Sequence, residues 1–523
     1  MKIGAMIISI LIGFFAAGTT LAAEAAISEA TTECIDCHAS IHPGIVNDWQ
    51  NRRHAMITPQ KAMAVEGVAR KVSSKLVPEG LQNVVVGCAE CNTLRPKAHA
   101  DTFEHNGYDI HVVVSPDDCQ TCHATERKQY AKNIMAHAYG NLADNKLHQK
   151  FEHSILALTK YQDGELKSTP ANDATKAEAC YYCHGTKLEV SGSETRDTEA
   201  AGELEFPIIK GWPNQGVGRI NPDGSLGACS PCHTRHAFSI EMARKPYTCK
   251  ECHVGPDVPA FKVYAASKHG NIFATEHAAW DFKAVPWTIG KDFTAPTCAT
   301  CHISLLVNTD EMVVAERTHQ MNDRLPWRIL GLIYAHPHPA EPNTAIIRNK
   351  DGLPLPTDFA GGLATKFLID EKEQGVRRKA MQAICLNCHD SSWVSGHWKR
   401  FENTIEETNA KTLAATRVMQ AALLDEEPLI RRTAVSNLRL PDARQLAITL
   451  ARMLHDSVKA VRIDAAAQQT LQHGLPADQR HLAFGGPTTH QHRHLAECLC
   501  ADGHSPSPTM WTSVFSNTPW RCR

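Results

Sequence analysis

Sixteen of the 19 cysteines in this 523-residue chain fall into eight Cys-x-x-Cys pairs. They are Cys34/Cys37, Cys88/Cys91, Cys119/Cys122, Cys180/Cys183, Cys229/Cys232, Cys249/Cys252, Cys298/Cys301 and Cys385/Cys388. In seven the next residue is histidine: His38, His123, His184, His233, His253, His302 and His389. Cys-x-x-Cys-His is the attachment signature of c-type haem. Two thiols three residues apart can each bond one vinyl-derived carbon of the porphyrin, and the adjacent imidazole then falls under the iron as its proximal ligand. One such motif alone could be a disulfide, a zinc site or a redox pair; seven in one chain imply covalent haem. The second pair differs. In "VVGCAECNTLRPKAH" Cys88 and Cys91 are followed by Asn92, whose amide is a poor iron ligand beside imidazole. It reads as a haem site that has lost its proximal imidazole, with a purpose-built reactive site and a plain disulfide as the alternatives.

Each low-spin haem also needs a distal ligand, and a second histidine serves best. Of 29 histidines, 22 remain after the motifs are served. Those in helical-looking polar contexts are His54, His105, His111, His137, His236, His269, His319 and His397. Spacing does not say which of them belongs to which haem.

Haem sites spread from Cys34 to His389 leave little chain per cofactor. The expected fold is therefore mainly α: a multihaem cytochrome c with short helices and loops packed around eight haem sites, few strands, and porphyrin in place of much of the apolar core. Charge is nearly balanced, 54 basic against 56 acidic residues, so nothing points to nucleic acid or an anionic membrane surface. Residues 1–23 have the layout of a secretory signal peptide, with Lys2, an apolar run from Ile3 to Ala17 and small residues near Ala22 and Ala23; an uncleaved anchor is the alternative. The expectation is a periplasmic or otherwise exported, soluble protein with no stable membrane span after cleavage.

The number, order and connecting sequence of the motifs resemble the octahaem hydroxylamine oxidoreductase family, in particular its reductive branch without the tyrosine cross-link. The stretches that carry the resemblance are "DTFEHNGYDIHVVVSPDDCQTCH", "GWPNQGVGRINPDGS", "CHTRHAFSIEMARKPYTCKECHVGPDVP", "RTHQMNDRLPWRILGLIYAHPHP" and "CLNCHDSSWVSGHW". The resemblance implies that the fourth motif, Cys180-Tyr-Tyr-Cys183-His184, holds the catalytic haem, open on its distal side, and that the others relay electrons. It also implies a distal pocket containing Asp257, Tyr334 and His336; Val258 stands where the oxidising members have a further histidine. Those members use a tyrosine beyond the eighth motif to cross-link the catalytic porphyrin. Here the last tyrosine is Tyr334, so the resemblance implies a reductive role.

Beyond residue 415 the haem motifs stop and an Ala/Leu/Arg-rich segment begins. "LLDEEPLIRRTAV" and "LHDSVKAVRIDAA" align at an offset of 31 residues, superposing Asp425 on Asp456, Ile430 on Val461, Arg431 on Arg462 and Ala434 on Ala465. This resembles a short run of HEAT repeats. The expected organisation is residues 24–415 as the octahaem domain, 416–476 as the repeat segment, and 477–523 as an irregular tail holding Cys498, Cys500 and Cys522.

The function expected is reduction of hydroxylamine or nitrite to ammonium at an open haem fed by the others. A redox partner cytochrome or quinol-linked donor would supply electrons, and a homo-oligomer is compatible. The alternatives are hydroxylamine oxidation to nitric oxide or nitrite, and a pure electron-transfer cytochrome.

Overall fold

Short helices dominate, and many begin where a side chain can satisfy the first free backbone N–H groups. Ser28 caps the Glu29–Ile41 helix by accepting from Thr31 N at 3.1 Å. Ser115 and Asp118 form a capping box on Pro116–Cys119. Asp370 caps the Glu371–Cys385 helix through Glu373 N at 2.8 Å. The computed structural model describes residues 25–162, 165–198, 201–255, 258–330, 334–344, 367–438 and 449–473. The signal-like segment, Asp257 and the tail from 477 lie outside them.

Among the described residues the fold is mainly α with small sheets. Antiparallel hairpins pair Thr102–His105 with Tyr108–His111, Leu158–Gln162 with Glu165–Thr169, Glu189–Thr198 with Gly202–Lys210, and Trp327–Leu330 with Tyr334–Pro337. A three-stranded sheet joins Trp287–Thr288, Leu306–Val307 and Val313–Ala315. No described helix is long and apolar enough to cross a membrane.

The chain forms two compact units, the first running to Ala421 and the second built from Ala422–Asn437 and, among the described residues, 449–473. In the first, an apolar cluster of Phe273, Phe282, Trp287, Phe293, Leu306 and Ile384 is laid down by the sequence around the sixth to eighth motifs. Buried Arg244 stacks over Trp287 at 4.5 Å and donates to the carbonyls of Phe282 and Ala284, which ties the cluster to the helix before the sixth motif.

The second unit pairs the Pro428–Asn437 and Lys459–His473 helices around Ala434, Val435, Leu450, Val461 and Ala465. The aligned arginines do equivalent work: Arg431 Nη1 donates to Asp425 O at 2.7 Å, and Arg462 Nη1 to Asp456 O at 2.6 Å. Arg431 also grips the Asp456 carboxylate with two nitrogens at 2.6 and 2.9 Å. Leu450 is fully buried in this small core, so Leu450→Ala is expected to destabilise the unit by about 2–5 kcal/mol. Thermal unfolding followed by helical circular dichroism checks this, and an unchanged transition would refute it.

Candidate functional site

Each motif is wound as a single helical turn. His123, His233, His253 and His389 donate their backbone N–H groups to the carbonyl of the first cysteine of their motif, at 2.9, 3.1, 2.8 and 3.0 Å. Cys88–Asn92, Cys180–His184 and Cys298–His302 are five-residue helices. Positions i, i+3 and i+4 of a helix share one face, so the two thiols and the following side chain are presented together. Among the described residues none of the sixteen motif cysteines is in a disulfide, Cys88 and Cys91 included.

Two of these cysteines differ from the rest in exposure. Cys37 of the first motif and Cys388 of the eighth are exposed, whereas the other motif cysteines are half-buried. The physical reason is their place in the series. Cys37 lies on the Glu29–Ile41 helix, whose residues from Glu33 to Ile41 are half-buried or exposed, and Cys388 follows the end of the Glu371–Cys385 helix. In each of these motifs the first cysteine, Cys34 or Cys385, lies close to a neighbouring motif, and the second is the more exposed of the two. A thiol so placed keeps the i, i+3 geometry that thioether attachment needs, but protein does not enclose it.

Four motif histidines face a second imidazole. Ring centres lie 6.2 Å apart for His38 and His105, 6.2 Å for His54 and His123, 6.4 Å for His233 and His319, and 6.1 Å for His269 and His389. Two collinear metal–imidazole bonds of about 2 Å, with each ring centre ~1 Å further back, require a separation of about 6 Å. The buried Nδ1 atoms of His105, His302 and His319 make no hydrogen bond. Desolvation by burial pulls His54 and His319 down to about 3 and His233 and His302 to about 4, which keeps these imidazoles neutral with a lone pair to give. Paired cysteines beside imidazoles at this separation fit covalently attached haem.

The motifs also touch one another. Thiol–thiol contacts link Cys34 to Cys88, Cys119 to Cys229, Cys183 to Cys252, and Cys249 to Cys298. Cys91 with Cys122, Cys232 with Cys249, and Cys301 with Cys385 are near enough to interact electrostatically. The first, second, third, fifth, sixth, seventh and eighth motifs thus form a continuous series, and the fourth joins it at the sixth.

The fourth motif sits in a glycine-built cradle. Val217 N donates to Cys183 O at 3.0 Å, and Asn214 Nδ2 to Tyr181 O at 2.8 Å. A Cβ on Gly216 would lie 2.1 Å from Gly185 N, and one on Gly218 2.6 Å from Ala138 N, so only glycine allows the loop to approach this closely. Buried Arg219 braces the loop through Asn221 Oδ1 at 2.7 Å. Beside Tyr181 opens a cavity of about 350 Å³ lined by Gln149, Glu152, His153 and Lys176, where Lys176 Nζ pairs with Glu152 Oε1 at 2.8 Å. Sequence reasoning passed over these residues because their signal is only their placement.

Of the residues expected in the distal pocket, Asp257 lies outside the described residues, as does the side chain of Tyr334, which begins the Tyr334–Pro337 strand. His336 is fully buried, with Nδ1 2.6 Å from Pro337 O. The strand is fixed to the long Ser391–Ala422 helix by Asn409, which accepts from Ala335 N at 2.9 Å and donates to Ala335 O at 2.7 Å. The other histidines named from the sequence sit elsewhere. His137 Nε2 is 2.9 Å from Ala131 O, His236 is half-buried with φ 67°, and His397 stacks on Trp393, itself stacked on His389. His111 stacks on His99 at 3.7 Å with both nitrogens against carbonyls, Nε2 2.8 Å from Leu94 O and Nδ1 3.2 Å from Val113 O.

His99 belongs to a buried charged cluster that the sequence did not announce. Its Nε2 is 3.1 Å from Asp118 and its Nδ1 3.4 Å from Asp101; Arg95 reaches Asp118 at 3.1 Å and Asp223 at 3.3 Å. Burial lowers the His99 pKa, but hydrogen bonds to Asp101 and Asp118 outweigh it and raise the imidazole to about 9. The His99, His111 and Asp118 ligand atoms lie within 4.8 Å of one another. Parallel rings do not aim their lone pairs at one point, so this is a salt-bridge network rather than a metal centre.

Residues 224–323 match the family described as "Seven times multi-haem cytochrome CxxCH", and residues 118–204 that of "Cytochrome c554 and c-prime". A "Probable nitrite reductase-hydroxylamine oxidoreductase fusion protein" of Kuenenia stuttgartiensis is 25% identical over 375 residues, covering 70% of this chain; the chain spans 34% of that relative's length. A solved "Hypothetical multiheme protein" is 36% identical, covers 89% of this chain and 92% of its own, and superposes with a TM-score of 0.70. A Kuenenia stuttgartiensis "reducing HAO-like protein complex" is 16% identical over 87% of this chain and 81% of its own, at a TM-score of 0.41. With its helical-turn motifs, paired imidazoles and a relative of this identity and coverage, the chain belongs to the multihaem c-type cytochromes.

Proposed function

We propose that this chain reduces hydroxylamine or nitrite to ammonium at the fourth motif, with all eight Cys-x-x-Cys pairs attaching haem. Bound haem would supply redox-active iron, for electron relay between motifs and for reduction of the nitrogen compound at one of them. The chain's own residues do the rest. Cys180, Cys183 and His184 would hold the reacting group in the glycine cradle, and the half-buried imidazole pairs His38/His105, His54/His123, His233/His319 and His269/His389 would close the relay positions. Asp257, Tyr334 and His336 would orient substrate and pass protons, His336 from a fully buried place.

The observation that carries the reductive direction is the absence of tyrosine from residues 335–523, including the long helix directly after the eighth motif. A substituent bonded to the catalytic porphyrin would favour electron withdrawal from substrate, and no residue there can form that bond. The test is a pair of assays on holoprotein, hydroxylamine reduction with reduced viologen and hydroxylamine oxidation with a cytochrome acceptor. Ammonium formation much faster than oxidation is expected; the reverse order would refute the direction.

The opposed imidazoles favour, at their own sites, a second reading as a pure electron carrier. A high-spin ferric signal that shifts on adding hydroxylamine would exclude it for the whole chain. Uniformly low-spin haems inert to hydroxylamine would establish it.

A further inference from the structure

The second motif keeps every backbone feature of its neighbours and changes one side chain. Cys88–Asn92 is the same five-residue helix as Cys180–His184 and Cys298–His302, closed by the same bond. Thr93 N reaches Ala89 O at 2.9 Å, as Gly185 N reaches Tyr181 O at 2.9 Å and Ile303 N reaches Ala299 O at 3.0 Å. The helix is docked with care. The Glu90 carboxylate accepts from Gly87 N at 2.9 Å and Thr31 Oγ1 at 2.7 Å, Ala89 N donates to Thr31 Oγ1 at 3.1 Å, and a Cβ on Gly87 would strike Thr31 at 2.4 Å.

Asn92 Nδ2 donates to the backbone carbonyl of His111 at 2.9 Å. That is the bond a ligating imidazole makes with its far nitrogen, Nδ1–H to a carbonyl, while Nε2 faces the metal. Among the regular motif histidines, His123 and His233 also bond to backbone, at Lys71 and Ser239, whereas His302 Nδ1 makes no hydrogen bond. In asparagine, Nδ2 stands the same number of bonds from the backbone as Nδ1 does in histidine. The orienting half of the ligand is therefore kept, and the edge that would carry Nε2 is gone.

The neighbouring groups are poorly placed to substitute. The His111 ring is stacked on His99 and both its nitrogens face carbonyls. Arg52, hydrogen-bonded to Cys91 and to the carbonyls of His236 and Val86, is a cation without a lone pair. Asn92 and the following Thr93, Leu94 and Arg95 are only half-buried, so a small molecule can approach.

We propose that the second motif presents an open axial position on its Asn92 side that takes a small uncharged nitrogen donor from solution, the class to which imidazole and hydroxylamine belong. This rests on reading Cys88–Asn92 as a loaded haem site. Because Cys88 touches Cys34 of the first motif and Cys91 lies near Cys122 of the third, such a ligand would bind at the junction between the first motif and the rest.

The test compares wild-type holoprotein with Asn92→His, measuring haem per chain by pyridine haemochromogen and counting imidazole-responsive haems by optical titration and ferric spin state. The expected result is equal haem content, with Asn92→His showing one imidazole-responsive haem fewer and one more low-spin haem at rest. Equal haem content with identical imidazole responses overturns the open position and leaves the haem site standing. One haem more in Asn92→His than in wild type shows that the site does not load, and overturns both. Should Asn92→His fail to fold, Asn92→Gly serves: it enlarges the same space and is expected to retain the wild-type haem content and response, and loss of that response at equal haem content would overturn the proposal.

Discussion

Changing Cys180 and Cys183 together to serine is expected to lower hydroxylamine reduction on the order of a thousandfold, about 4 kcal/mol of lost transition-state stabilisation, while removing a single haem. The expectation follows from the local architecture. The fourth motif is gripped by the loop through Asn214, Gly216 and Val217, with two hydrogen bonds to the carbonyls of its own helix. Positioning a reacting atom demands such rigidity, because small misplacements cost orders of magnitude in rate. His105→Met provides the contrast, since it alters the neighbour of the first motif histidine rather than the proposed reacting position. Its reductase rate is expected to change by less than about tenfold. Rate, haem content and the high-spin ferric signal are read together on both variants. A double serine variant that loses one haem and keeps the wild-type rate would place the chemistry at another motif.

The Cys-x-x-Cys turns were legible because the chemistry proposed for them is local. Two thioether bonds and one axial ligand from a single helical turn fix the spacing in the sequence itself. Spacing says nothing of burial, which is why the exposure of Cys37 and Cys388 emerges only from the packing of the first and eighth motifs. The opposing imidazoles obey no local rule either. His54 meets His123, His105 meets His38, His269 meets His389 and His319 meets His233 across separations of 67 to 120 residues. Residue type could nominate these histidines alongside His111, His137, His236 and His397; only the path of the chain sorts them.

The cradle of the fourth motif was half visible. "GWPNQGVGR" stood out as a stretch, but the reason for its glycines, backbone packed against Gly185 and Ala138, is a tertiary fact. Mainly helical structure followed from the motifs themselves, whereas the hairpins carry little apolar alternation and left little trace. Glu189–Thr198 is nearly all exposed, so its register is set by backbone pairing rather than by a buried face.

The charged cluster around His99 shows most clearly what spacing cannot convey, and it sets the second large expectation. Three fully buried carboxylates, Asp101, Asp118 and Asp223, converge on His99 and on a one-third exposed Arg95. Backbone and hydroxyl donors also reach them: Val113 N on Asp101 at 2.8 Å, Ser115 N on Asp118 at 2.7 Å, and Ser115 Oγ on Asp223 at 2.6 Å. Removing a cation from such a site leaves uncompensated buried charge, which costs more than the intact pair contributes. His99→Leu is therefore expected to destabilise the first unit by about 3–5 kcal/mol. Arg95→Met should cost less, because water reaches that guanidinium and screens it. The order matters as much as the size. The cluster joins the approach to the Thr102–His105 hairpin, the Pro116–Cys119 helix and the loop at Asp223, so its loss loosens the frame on which the second and third motifs are mounted. Denaturant unfolding of the two variants, at matched haem content, measures both quantities. A His99→Leu protein within about 0.5 kcal/mol of wild type, or one more stable than Arg95→Met, would show that the carboxylates find their compensation elsewhere.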